Sequence, residues 1–291
     1  MKAALDAFIA PAKPRAALWR LAAGLCLIAA LLIGGALAFG LALSRLDYPP
    51  PANPVAALNT QAGALFALST FVLWWLALVI ALRLFHRRGL GTLLGPARSG
   101  RGRRFAYGLL AAGLFSGLGL LAGAFLVGAP MAGAADPGVW ALGAAAGIPL
   151  ILIQTGAEEA LFRGYVLQQL AARYRSPLIW AGAPSLLFGL LHWNPAAPGG
   201  AVLTVLATGI SGVILALVTA RTGDLFAAWG LHFGVNLAAI LLVSPPDYFA
   251  GLALFRWPEG GSAGDLAWLD IALMAALALL ALRLSRSRRD G

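Results

Sequence analysis

The sequence predicts an all-α fold, a polytopic integral membrane bundle of about eight transmembrane helices with both termini in the cytoplasm. Three observations predict it. Of 291 residues, 60% are hydrophobic and only 11% are charged, with a mean hydropathy of +0.84, whereas soluble domains carry about 25% charged residues. The apolar residues fall into runs long enough to cross a hydrocarbon layer about 30 Å thick. The positive charge is also sorted: with a cytoplasmic N-terminus, nineteen of the 21 Lys and Arg fall inside and only Arg45 and Arg256 outside, as the positive-inside rule requires.

The net charge of +10 is therefore spread by topology. It does not form the single basic patch with aromatic or groove-reading elements that a nucleic-acid binder presents. The lone Cys26 excludes a disulfide framework or a cysteine metal site within the chain. Few lysines beside many arginines and alanines match a GC-rich bacterial genome, which makes the bacterial cytoplasmic membrane the expected location.

The first span is expected at 21–43, behind Lys2, Lys13, Arg15 and Arg20. Ala36, Leu37 and Ala38 look like a cleavage triplet, but the apolar core exceeds the 7–15 residues of a signal sequence, so the span is read as uncleaved. A Pro-rich connector from Tyr48 to Gln61 leads to span two, 62–84. A basic loop with His86, Arg87, Arg88, Arg98, Arg101, Arg103 and Arg104 follows; it reads as a topology determinant that touches anionic headgroups. Span three is expected at 105–128. Span four starts at Val139 and keeps its helical pattern to about Arg173, roughly 52 Å at 1.5 Å per residue and longer than a bilayer core, with Pro149 as a place for a kink. Spans five to eight are expected at 177–193, 201–220, 224–243 and 266–284. The connector from Ser244 to Gly264 carries aromatic residues suited to a membrane interface.

Span four contains what hydrophobicity cannot explain, the adjacent carboxylates Glu158 and Glu159. A charge at the centre of a membrane helix costs about 2.5–3.5 kcal/mol on insertion scales, so an intramembrane acid needs a partner or a task. Glu159 and Arg163 are four apart and share a helix face, which predicts an ion pair. Glu158 is rotated about 100° away and left for chemistry.

Two further motifs have a spacing of four on later spans: Phe188 with His192, and His232 with Asn236. A helical histidine is ordinarily a satisfied core residue, but polar side chains inside lipid face the bundle interior and find partners there. If spans four and five form a hairpin turning near Arg175, Glu158 and His192 each lie 17 residues from the turn, at similar depth. Gly189 and Gly234, beside these motifs, would allow close helix approach. His86, next to two arginines, reads as an interfacial residue.

The ordered set Glu158-Glu159-x-x-x-Arg163, Phe188-x-x-x-His192 and His232-x-x-x-Asn236 resembles the CPBP family of intramembrane proteases, whose best-known members are the type II CAAX prenyl endopeptidases. The resemblance covers roughly 140–243. It implies three regions: 1–138, with spans one to three and the basic loop 86–104; a CPBP-like core, 139–243, with spans four to seven; and 244–291, with an outside loop, span eight and a basic tail. It implies an endopeptidase acting on membrane-associated peptides or proteins, with the bilayer as its other partner.

Peptide hydrolysis needs an activated water, a proton shuttle and donors for an oxyanion. Glu158 with His192 is assigned to the water, and His232 with Asn236 to the oxyanion. Glu159, Arg163 and Phe188 are assigned to support.

No cofactor is then required. The alternative is a divalent metal such as zinc on Glu158, His192 and His232, a two-His, one-carboxylate set that would make the protein a metalloendopeptidase; the H-E-x-x-H signature is absent. Two other readings compete. One is a proton- or cation-coupled transporter, against which stands the lack of an internal repeat. The other is a non-catalytic scaffold or bacteriocin-immunity protein that keeps the motif as a polar core.

Overall fold

The computed structural model describes residues 2–45, 54–96, 98–129, 131–132, 136–193, 201–244, 250–258 and 272. The expected span at 266–284 and the C-terminal tail lie outside these residues, apart from position 272. The protein is an all-α membrane bundle. Among the described residues, five helices are long and apolar enough to cross a bilayer: α2 (Leu18–Arg45), α3 (Gln61–His86), α4 (Arg101–Val127), α5 (Pro137–Ala171) and α7 (Ala201–Thr222). Two shorter apolar helices complete the set, α6 (Leu178–Leu190) and α8 (Phe226–Leu242). A short helix α1 (Lys2–Ile9) precedes them.

Local chemistry sets the ends. The Thr60 hydroxyl caps α3 by accepting from the amide of Gly63. Asp136 caps α5, accepting from the amides of Gly138 and Val139, with Pro137 in the first turn where its missing N–H costs nothing. α4 and α7 both stop at glycines with positive φ, Gly128 at 97° and Gly223 at 74°. α5 is the 35-residue helix expected from the sequence. It runs through Pro149 and, immediately after Glu159, changes to a π-helical turn over Ala160–Val166. Similar π turns occur at Leu82–His86, Leu178–Gly182 and Ala238–Leu242.

The bundle closes around α5. The most extensive packing joins α4 to α8, and α6 to α7. Small residues make both contacts possible: a Cβ on Gly230 would stand 2.0 Å from the Phe105 carbonyl, and one on Gly108 2.1 Å from that of Ala227. Gly189 and Gly234 act likewise, the first against the Val205 carbonyl and the second against Ala112. At the end bearing the basic loop, Arg104 pairs with the buried Asp224.

The N-terminal residues, read from sequence as a basic flank, fold back onto that end. Phe8 is fully buried, and its carbonyl accepts from Gln168 Nε2 on α5 at 3.0 Å. Gln168 Oε1 in turn accepts from Arg88 at 2.6 Å. Burial lowers the Arg88 guanidinium to about 10, still charged at neutral pH.

His86 departs from expectation. It is buried, not interfacial, because Tyr165 and Gln169 of α5 bracket its ring at 2.8 and 3.0 Å. At the opposite end, three two-residue strands form a small sheet: β1 (Met131–Ala132), β2 (Val243–Ser244) and β3 (Phe255–Arg256). Its order is β1-β3-β2, with Met131 opposite Arg256 antiparallel and Val243 opposite Phe255 parallel. Segments this short carry no periodic signal.

Candidate active site

α5 delivers two carboxylates to the bundle interior just before its π turn. Glu159 is fully buried and Glu158 is 6% exposed. Arg163, 2% exposed, reaches back one turn so that Nη1 lies 2.9 Å from Glu159 Oε1, the pair expected from the spacing. It also donates from Nη2 to the Gly212 carbonyl of α7 at 3.3 Å, and its guanidinium lies 4.7 Å over the Phe188 ring of α6. One arginine thus ties three helices together while neutralising a buried charge.

The second partner of Glu159 is not local. His232 of α8 directs Nδ1 to Glu159 Oε1 at 2.9 Å, and its Nε2 lies 3.4 Å from Glu158 Oε2. At that distance Glu158 Oε2 has no hydrogen-bond partner within the described protein. A buried carboxylate oxygen left so is a group available to water or substrate. Glu158 is therefore less isolated than the helix period alone indicates, since His232 stands between the two acids.

His192 follows from the end of α6. Its Nδ1 lies 2.8 Å from the Phe188 carbonyl. A carbonyl can only accept, so Nδ1 carries the proton and the Nε2 lone pair of the neutral ring is left for other work. The Phe188 ring meets Phe162, His192 and His232 edge-on at 5.0, 4.8 and 6.0 Å, which wedges both imidazoles. Asn236, one turn beyond His232, donates from Nδ2 to Gln154 Oε1 at 3.0 Å. Gln154 opens the stretch that holds both glutamates, but the sequence reading gave it no role. Its signal was available, a polar residue one turn before Glu158 inside an apolar span.

Glu158, His192, His232, Asn236, Gln154 and Phe188 all line one cavity of about 460 Å³, whose remaining walls are largely apolar. A smaller space of about 250 Å³ also borders Glu158, Phe188 and His192. A metal held by Glu158, His192 and His232 is the alternative arrangement. Among the described residues no group of three or more His, Cys, Asp and Glu is placed to hold one. Both ring nitrogens of His232 face carboxylates, while the carbonyl at Nδ1 of His192 leaves its Nε2 open, as it would in a metal-ligating histidine.

Fold and site together define a polytopic helical membrane protein with a buried Glu–His–Asn constellation on an apolar cavity. Residues 139–238 match the family model described as type II CAAX prenyl endopeptidase Rce1-like. That segment contains all three motifs, and its match is to the CAAX protease family that the motifs resemble. Over 159 residues, 53% of the chain, the protein is 30% identical to a Bacillus subtilis (strain 168) protein described as uncharacterized protein YyaK. The match covers 52% of that protein, so the chain spans about half the length of this curated relative. No solved structure matches.

Proposed function

We propose that the protein is an intramembrane endopeptidase hydrolysing peptide bonds of membrane-associated proteins or peptides, in a bacterial cytoplasmic membrane. One observation carries the reading. Glu158, His192, His232 and Asn236 come from three helices and nearly eighty positions of an oily chain, yet line a common cavity. A bundle needing only stability would pair every buried polar group, whereas Glu158, which lines this cavity, keeps Oε2 without a hydrogen-bond partner among the described residues.

In the proposed reaction, the His192 Nε2 lone pair and the free oxygen of Glu158 hold a water molecule. Glu158 takes its proton as the oxygen attacks the scissile carbonyl. The tetrahedral oxyanion accepts hydrogen bonds from the Asn236 amide and, when His232 carries both ring protons, from His232 Nε2. Glu158 then passes its proton to the leaving nitrogen as the C–N bond breaks. Glu159 holds His232 through Nδ1, much as an acid orients the histidine of a hydrolytic triad. No step passes through a metal. The apolar lining, including Phe71, Phe115, Ile214 and Leu215, suits substrates that reach the site from within the membrane.

The test uses purified full chain in lipid nanodiscs and an internally quenched peptide ending in an S-farnesylated CAAX sequence, with a transmembrane peptide as a second probe. Cleavage should survive exhaustive chelation in metal-free buffer. His192→Ala should lower it at least about 100-fold, the ordinary worth of a general-base element, with an unchanged melting temperature. Activity abolished by chelator and restored by zinc would replace this mechanism with the metal one. Wild-type turnover in His192→Ala would remove His192 from it.

A further inference from the structure

Gln154 and Asn236 mirror Glu158 and His232. Gln154 lies one turn before Glu158 on α5, and Asn236 one turn after His232 on α8. The two helices pack together. Between them run two rungs, Glu158 Oε2 to His232 Nε2 at 3.4 Å and Gln154 Oε1 to Asn236 Nδ2 at 3.0 Å. A step of four forward on one helix matched by four back on the other is the register of antiparallel helices. Helix geometry therefore holds Gln154 on the face that carries Glu158. It is 7% exposed and lines the same cavity.

We propose that Gln154 is a positioning residue for hydrolysis: its carbonyl engages one N–H of the Asn236 carboxamide and fixes the plane of that group, so that the other N–H serves the oxyanion. The proposal deepens the endopeptidase reading and rests on it. A primary amide has two N–H donors, and the torsion that turns the asparagine carboxamide is broad and poorly self-restrained. With one donor committed to Gln154, the orientation of the second is set before substrate arrives, which is where oxyanion stabilisation gains its strength. Without Gln154 the amide turns freely, and the donor is in place only part of the time. Losing an oxyanion donor outright costs about 100- to 1000-fold in turnover; losing only its orientation should cost less.

A tie that merely glued α5 to α8 would behave differently, since its loss would lower the melting temperature and leave kcat of the folded protein unchanged. The experiment is a double-mutant cycle on the full chain in nanodiscs with the farnesylated peptide, comparing wild type, Gln154→Met, Asn236→Ala and the pair. Gln154→Met should lower kcat about tenfold and leave KM within about twofold. The same change should have no further effect in the Asn236→Ala background, because coupled residues depart from additivity. Gln154→Leu serves as a second replacement of similar size.

Full turnover in both single replacements overturns the proposal, as does an equal loss with and without Asn236. Unfolding of both variants would assign the pair to stability and also overturn it. A wild type that cleaves neither peptide defeats the endopeptidase reading itself, and this outcome is distinct because it precedes any comparison at Gln154.

Discussion

Arg163 is the side chain whose removal should be felt first. It is buried with Glu159, holds the Gly212 carbonyl and covers Phe188. Arg163→Ala would leave a fully buried carboxylate without its cation, a change that costs about 3–5 kcal/mol. Chemical or thermal unfolding in detergent should show that loss, with Arg163→Lys intermediate because an ammonium cannot reproduce the guanidinium fork. Unchanged stability in Arg163→Ala would mean that His232 alone satisfies Glu159. The Arg163–Glu159 pair was legible in the sequence because its partners are one helical turn apart. The bonds from Glu159 to His232 and from Asn236 to Gln154 cross 73 and 82 positions, and no local spacing encodes them. His86 was misread for the same reason: its partners Tyr165 and Gln169 lie 79 and 83 positions away, while its neighbours in sequence are arginines.

The spans themselves were largely legible, because lipid requires continuous apolar runs whose backbone groups are satisfied internally. What the pattern could not carry was the π turn after Glu159, where one extra residue in the turn rotates the following face without altering composition. The tight α4–α8 contact is more accessible to test. Gly230 leaves no room for a Cβ beside the Phe105 carbonyl, and backbone cannot give way as a flexible side chain can. Gly230→Ala should therefore destabilise the protein by about 1–3 kcal/mol, the usual cost of overpacking, seen as a lower unfolding midpoint in detergent. It should also reduce activity, since His232 is carried on the displaced helix. A midpoint equal to that of wild type would show that α4 and α8 separate without penalty.

Across the whole molecule, the basic residues and the site fix a direction. The loop after α3, the folded-back N-terminal residues and the Arg104–Asp224 pair gather at one end, and the positive-inside rule predicts that this end faces the cytoplasm. In a Cys26→Ser background, Ser99→Cys in that loop should react with a membrane-impermeant maleimide in inverted vesicles and not in intact cells. Labelling of intact cells would reverse the orientation. The packing of the N-terminal residues on this end was not legible, because a short helix with flanking lysines reads equally well as a solvated leader. Only the burial of Phe8 and its bond to a residue 160 positions away reveal it.

The account as a whole rests on Glu158 acting on water within the bundle. The most direct measurement is the rate of farnesylated-peptide cleavage by wild type and Glu158→Gln, both in nanodiscs and matched for melting temperature. The account predicts turnover by the wild type and a loss of at least about 1000-fold in the variant, whose amide keeps the shape but cannot accept the proton. Equal rates in the two proteins would contradict it.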